Sequence, residues 1–392
     1  MPNADDIPPT IGRNSRIAIF GLISKHSGRN RGGTSFSVAR MASFFAAQGC
    51  KVDIVCGRSA ADQNAFEHLP SGVRVLPVTS TSKLGLSLEL FFYLRSAGPD
   101  ALLSLDTRAN QIACRMKRWR ANVQRVYVSL RNTIENKQSS VTSRDKKQRL
   151  FRSFATEADG VIAISEGLAS EFASFSGSPQ SAVHVIHNLV VNDNVRAQIG
   201  QNTGHPWLER KQAPVILGVG RLEEQKDFPT LIRAFAELRA TRDVKLIILG
   251  EGQALGQLEA LGEQLGIIEH ISFPGFVQNP VSYMSHADVF TLSSRYEGFG
   301  MVIAEALAAG CQVVSTDCPS GPREILRDGA LGHLVQVGDS SALADGIRAS
   351  LDNPLPADVL RTASEAFAEE VNGQKYLDLL LFGDCKDPAS RN

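Results

Sequence analysis

The chain of 392 residues has no long hydrophobic run, no C-x-x-C pair and no net charge. No apolar stretch reaches the ~18 residues that a membrane-crossing helix needs. Six cysteines (Cys50, Cys56, Cys114, Cys311, Cys318 and Cys385) are scattered without pairing, so a disulfide framework is not expected and the thiols are read as reduced. Charged residues at 21% beside 43% hydrophobic ones exclude wholesale disorder. The polar start MPNADDIPPT does not read as a signal peptide, and the expectation is a cytoplasmic protein.

What is present is length and an uneven charge. A chain well beyond ~150 residues suggests two domains. Basic residues outnumber acidic ones 25 to 15 over residues 1–204, and acidic outnumber basic 26 to 16 over 205–392. The basic excess is concentrated in 108–152, where 13 cations meet only Glu135 and Asp145. Such a stretch is either a solvated face or a surface for an anionic membrane or phosphorylated acceptor. Nucleic acid is not expected, because no nucleic-acid signature accompanies the charge.

Short Val/Ile/Leu-rich runs alternate with helical patterns throughout. Seven precede residue 190 (16–22, 51–56, 73–78, 101–105, 124–130, 160–165 and 182–188). Six more follow the polar stretch 196–212 (213–220, 244–250, 270–275, 288–294, 312–317 and 332–337). Continuous apolar strands between helices predict parallel sheets covered on both faces. The expected fold is α/β, with two doubly wound domains facing across a cleft. Its expected divisions are a disordered tail over 1–14, domains over 15–204 and 205–365, a C-terminal helix over 366–382 that packs back on the first domain, and a tail over 383–392.

The segment RYEGFGMVIAEALAAG (295–310) is the most informative. Glu305 is the sole polar side chain of 301–309, and a helix apolar on nearly every side predicts burial, where a carboxylate needs a partner. It reads either as a structural ion pair or as an acceptor for ribose hydroxyls. Gly298 and Gly300 allow close backbone approach, and the helix start offers free N–H groups to a phosphate. Glu297 stands on the same loop, beyond the strand end where parallel sheets bind ligands. In GVGRLEEQKDFPTLI (218–232), Arg221 and Lys226 flank a turn into a helix whose expected cap is Asp227, with Pro229 in the first turn. Two cations at a strand end suit a diphosphate.

These motifs resemble glycosyltransferase family 4, of retaining GT-B enzymes with an E-x7-E motif. The likeness rests on GVGRLEEQKDFPTLIRAF, LIILGEG, ISFPGFV, ADVFTLSSRYEGFGMVIAEALAAGCQVVSTD, GPREIL and DGALGHLV, and more weakly on RGGTSFSVARMASFFAAQGCKVDIV, ADGVIAISEGLASEF and VIHNLV. It implies a GT-B fold of two Rossmann-like domains and the transfer of a hexose or N-acetylhexosamine, with retention, from a nucleotide-diphosphate sugar. Arg221 and Lys226 would bind the diphosphate, Glu297 would face the donor sugar and Glu305 would hold the ribose. Gly220 lies in the same strand-end motif. Gly298, Phe299, Gly300, Met301 and Val302 would contact sugar and phosphate through their amides, and the backbone at Phe276 and Val277 would hold the base. Gly32 and Gly33 would close over the diphosphate.

The chain departs from the family at Arg131, where many members carry His; Arg131, His187 and Asn188 are expected on the acceptor side. No cofactor or metal is expected: no D-x-D motif occurs, and Glu157-Ala-Asp159 is the nearest match. DCPSGPREIL (317–326) is similar to members that use UDP-sugars in lipid-linked glycan or surface polysaccharide assembly, with Ser320 and Gly321 either near the sugar or merely a turn. A polyprenyl-diphosphate-linked acceptor and a peripheral place on the inner membrane face would suit the basic region. LELFFYL (88–94) reads more readily as a buried helix face than as a lipid patch. Other readings stay open: a nucleotide-sugar-binding protein of weak activity, a GT-B phosphorylase or epimerase, and a glycosidase using Glu297 and Glu305 as its acid pair.

Overall fold

A computed structural model describes residues 15–22, 33–57, 66, 69–133 and 141–383, except the side chains of residues 33, 34 and 141–143. It divides into two compact units. Among the described residues the first runs to Ile164, resumes over Leu168–Leu189 and takes in the chain from Glu369; the second holds Ser165–Gly167 and Val190–Ala368. The divisions fall at 189/190 and 368/369 rather than the expected 204/205 and 365/366.

The first unit is built on seven parallel strands: β1 (Arg16–Gly21), β2 (Lys51–Gly57), β3 (Val73–Val78), β4 (Ala101–Ser104), β5 (Arg125–Leu130), β6 (Gly160–Ala163) and β7 (Val183–Val185). Their order is β3-β2-β1-β4-β5-β6-β7, so the winding reverses between β1 and β4. Successive β1 side chains feed opposite cores, as strand geometry requires. Ile17 and Ile19 join helix α1 (Gly33–Ala47) on one face, while Ala18 and Phe20 join α2 (Lys83–Ala97) and α3 (Thr107–Arg118) on the other. Helix α4 (Val141–Glu157) precedes β6.

The second unit has six parallel strands: β8 (Val215–Val219), β9 (Lys245–Leu249), β10 (Ile271–Gly275), β11 (Val289–Leu292), β12 (Gln312–Thr316) and β13 (His333–Val335). Their order β10-β9-β8-β11-β12-β13 reverses between β8 and β11. Helix α5 (Phe228–Arg239) covers one face through Leu231, Ile232, Phe235 and Leu238. Helix α6 (Met301–Ala309) follows β11. The last helix, α7 (Glu369–Phe382), belongs to the first unit. Tyr376, Leu377 and Leu380 enter the α1-side core, and the Leu379 carbonyl accepts from the Tyr127 hydroxyl at 2.9 Å.

A charged carboxylate, Asp53, lies deep in the first unit. Asp53 on β2 accepts from Arg74 Nε (2.7 Å) and Nη2 (2.8 Å), Arg16 Nη1 (2.9 Å) and the Tyr93 hydroxyl (2.8 Å). Burial pushes its carboxyl up, but the bonds from Arg74, Tyr93 and Arg16 outweigh burial and hold it below the usual carboxylate range.

The segment 88–94 departs from expectation. Leu90 and Leu94 are buried, but Leu88 and Phe92 are exposed, so α2 is apolar on its outward side as well.

Candidate active site

In the second unit the expected residues gather at the carboxyl ends of the strands, around the β8/β11 reversal. A strand-order reversal parts the two flanking connections and opens a crevice beyond the sheet. From β8 the chain runs through Gly220 and Arg221 into a single 3-10 turn, Glu224–Lys226, before α5. From β11 it runs through Ser293–Glu297 into α6.

The two loops are tied together. Ser293 Oγ donates to the Lys226 carbonyl (2.7 Å), Gln225 Nε2 to the Tyr296 carbonyl (2.9 Å) and the Arg295 amide to the Gln225 carbonyl (2.8 Å). Across this join the Lys226 ammonium meets Glu297 Oε1 at 2.6 Å, both side chains being largely buried. Ser294, fully buried, donates to the same oxygen at 2.7 Å. Among the described residues both bonds to Glu297 end on Oε1. Ser294 escaped the sequence reading. Its signal was the Ser-Ser pair closing the DVFTLSS strand, since a hydroxyl in a buried strand end needs a partner.

Glu305 is less buried than expected. On α6, Ile303, Ala304, Ala306, Leu307, Ala308 and Ala309 are buried, while Met301, Val302 and Glu305 form one half-open stripe. Glu305 is therefore the half-buried acid and Glu297 the buried one. Gly300 precedes α6 with φ 88°, a left-handed turn that disfavours residues with a Cβ.

Other details differ from the reading of the sequence. Asp227 occupies the cap position of α5 in a left-handed conformation (φ 46°), and its carboxylate makes no capping bond. It pairs instead with Arg295 Nε at 3.3 Å. Arg221 is exposed and pairs with Glu223 at 2.7 Å. The Phe299 ring turns inward, edge-on to Phe367 at 5.5 Å, so only its backbone is available to a ligand. The Gly298 carbonyl accepts from Ser165 Oγ at 3.2 Å. Phe276 and Val277 are half-buried beyond β10. Ser320 (φ 67°) and Gly321 (φ 95°) turn the chain into the short helix Pro322–Ile325, and a Cβ on Gly321 would lie 1.9 Å from the Phe299 carbonyl.

Cys318 is close enough to the ion pair to feel it. Burial first, then the Glu297 carboxylate, pushes its thiol up to about 12, so it is a neutral packing group and not a nucleophile.

In the first unit Arg131 follows β5, and its Nη2 donates to Ser37 Oγ and Asn188 Oδ1. Asn188 is buried, and Arg131 Nη1 is buried with no hydrogen-bond partner among the described residues. Burial lowers the guanidinium pKa, against a smaller opposing contribution from Tyr376. His187 is half-buried beside Asn188 but takes no part in those bonds. Gly33 opens α1; Gly32 lies outside the described residues. The Glu157-Ala-Asp159 acids are engaged, Glu157 with Arg118 and Asp159 with Lys117 and the Val126 amide. Among the described residues no three His, Cys, Asp or Glu side chains form a metal-binding group.

Two doubly wound units of this kind, with strand ends bearing a cation–carboxylate pair, belong to the GT-B class of fold. The structure of Anabaena Alr3699/HepE in complex with UDP aligns with a TM-score of 0.75 at 20% identity, covering 93% of this chain and 99% of that one. Residues 201–367 match the family described as glycosyl transferases group 1, and 32–189 match the glycosyl transferase 4-like domain. A Campylobacter jejuni relative, N-acetylgalactosamine-N,N'-diacetylbacillosaminyl-diphospho-undecaprenol 4-alpha-N-acetylgalactosaminyltransferase, is 32% identical, over 68% of this chain and 71% of its own length. Phosphatidyl-myo-inositol mannosyltransferase of Mycobacterium leprae is 30% identical, over 87% of this chain and 88% of its own. The chain belongs to the family 4-like glycosyltransferases and is a glycosyltransferase.

Proposed function

We propose that the enzyme moves a hexose or N-acetylhexosamine from a UDP-linked donor to a glycan carried on a lipid diphosphate or lipopolysaccharide core, with retention and without a metal. The observation that carries this reading is the Lys226–Glu297 pair at the β8/β11 reversal. Breaking the bond between the anomeric carbon and the diphosphate leaves an oxocarbenium-like sugar and a more negative nucleotide. Lys226, Arg221 and the start of α6 bind that state more strongly than the intact donor, and differential binding of this kind is what accelerates a reaction. Glu305, on the half-open stripe, accepts ribose hydroxyls, and Glu297 Oε2 faces the sugar. The acceptor attacks from the side the nucleotide leaves, which preserves the α configuration. Arg131 receives an anionic group of the acceptor.

The UDP named in the HepE complex and the diphospho-undecaprenol named in the Campylobacter relative support the choice of donor and acceptor. The basic region 108–152 suits a peripheral place on the cytoplasmic membrane face.

A panel of nucleotide sugars in EDTA, with lipid-diphosphate-linked and soluble glycan acceptors, tests the reading through nucleotide release and the anomeric signal of the product. Lys226→Ala removes a charge-assisted contact of about 1.5–3 kcal/mol and lowers the transfer rate about ten- to a hundredfold. A wild-type rate in that variant, or an inverted product, overturns the assignment.

A further inference from the structure

We infer that Gln225 is a positioning residue for the transfer reaction, which sets the Arg221 fork against the loop that carries Glu297. Gln225 is the middle residue of the 3-10 turn Glu224–Lys226 and is half-buried. Its side-chain amide works in two directions. Nε2 donates to the Tyr296 carbonyl at 2.9 Å, and Oε1 accepts from Arg221 Nη2 at 3.4 Å. An amide can do both, whereas a carboxylate has no proton to give and an ammonium no lone pair. The two partners also fix which way the amide points. Turned over, it would set N–H against the guanidinium and oxygen against the carbonyl.

The join between the two loops has other ties that do not need this side chain. The Arg295 amide bonds to the Gln225 backbone carbonyl at 2.8 Å, a bond that survives a change of side chain. Ser293 Oγ reaches the Lys226 carbonyl at 2.7 Å, and Arg295 Nε reaches Asp227 at 3.3 Å. What the amide adds is the link from Tyr296 to Arg221, and Tyr296 directly precedes Glu297.

Arg221 gains from being placed. Its side chain is 52% exposed, and an exposed arginine samples many rotamers that must be given up when a ligand binds. With Nη1 on Glu223 at 2.7 Å and Nη2 on Gln225, the guanidinium is held at two corners beforehand. Glu223 lies on the same turn, whereas Gln225 also reaches the β11 loop. A contact of 3.4 Å is long, so it orients the fork without competing strongly for it. The inference rests on the placing of the donor diphosphate at Arg221 and Lys226 proposed above. It adds that one amide keeps the phosphate-binding and sugar-facing loops in register.

The test is a double-mutant cycle read by calorimetric titration with UDP. Gln225→Met keeps the length of the side chain and loses both bonds. It weakens UDP about three- to tenfold and lowers kcat/KM for the donor by a similar factor. In an Arg221→Ala background the same substitution changes UDP affinity less than about twofold, because no fork is left to place. Equal losses in the two backgrounds overturn the inference, since Gln225 would then only brace the loop. Wild-type affinity in Gln225→Met overturns it as well. Should that variant fail to fold, Gln225→Asn, which keeps the amide but is one carbon too short to span both partners, runs the same cycle with the same outcomes. UDP bound by Arg221→Ala and Lys226→Ala as tightly as by wild type would overturn the donor reading together with this inference. A loss in those two variants, with equal losses in the cycle, would overturn the inference alone.

Discussion

Among the described residues Asp53, Asp227 and Glu297 are buried carboxylates, and Asp53 in the first unit and Glu297 in the second are held in opposite ways. Asp53 is saturated: two arginines and a tyrosine spread four hydrogen bonds over both its oxygens. Glu297 has one lysine and one serine, both on Oε1. Asp53 sits mid-strand on β2, directly opposite Arg74 of β3 in the register. Glu297 sits beyond a strand end, at the point where the winding reverses. A buried charge that is fully partnered fixes a structure; one that is half partnered, at a strand end, is set to exchange partners. Burial alone does not separate the two, whereas the count of bonds per oxygen does.

The sharpest way to break the comparison is to remove the saturated acid. Asp53→Ala leaves Arg16 and Tyr93 without their acceptor, and breaking such a buried pair costs about 3–5 kcal/mol. Arg74 is 57% exposed and returns to water, so the lower end is expected, read as a lower urea midpoint at unchanged slope. An unmoved midpoint would mean that the bonds add nothing to stability.

A smaller effect isolates the charge. Because the folded-state pKa of Asp53 is depressed, its contribution is present above the unfolded value of about 3.9 and is lost as pH falls through the folded one. The stability gap between wild type and Asp53→Asn therefore narrows on acidification below about pH 4. A gap that widened there would reverse the sign.

The strand framework was legible: each of thirteen apolar runs became a strand, because parallel strands buried on both faces cannot hide among polar residues. Lys226 and Glu297 were legible as members of a strand-end motif, but not as partners, since their contact depends on which strands lie side by side. Asp53 left a signal that was passed over, a lone acid inside KVDIVC, although its cations on β1 and β3 follow only from the register. Glu305 was misjudged because a helix with one polar side chain says little about which arc stays uncovered. The outward stripe of α2 was hidden for the converse reason: LELFFYL is apolar at every turn except Glu89, and periodicity cannot tell which of two apolar faces is buried.

The finest distinction between the acids lies in what happens to the cation they leave behind. In Glu297→Gln the amide oxygen still accepts from Ser294, so the loop after β11 keeps its shape. Lys226 then faces a neutral group in a largely buried position and gains most from an incoming anion. Binding of a nucleoside diphosphate that carries no sugar should therefore tighten about three- to tenfold, under ~1.4 kcal/mol, while sugar transfer falls. Calorimetric titration with UDP measures this directly, with Lys226→Ala as the control that weakens. Were Glu297→Gln to bind UDP no better than wild type, Glu297 would not be competing with the diphosphate for the lysine. It would then be a fixed support like Asp53, and the contrast between the two acids would vanish.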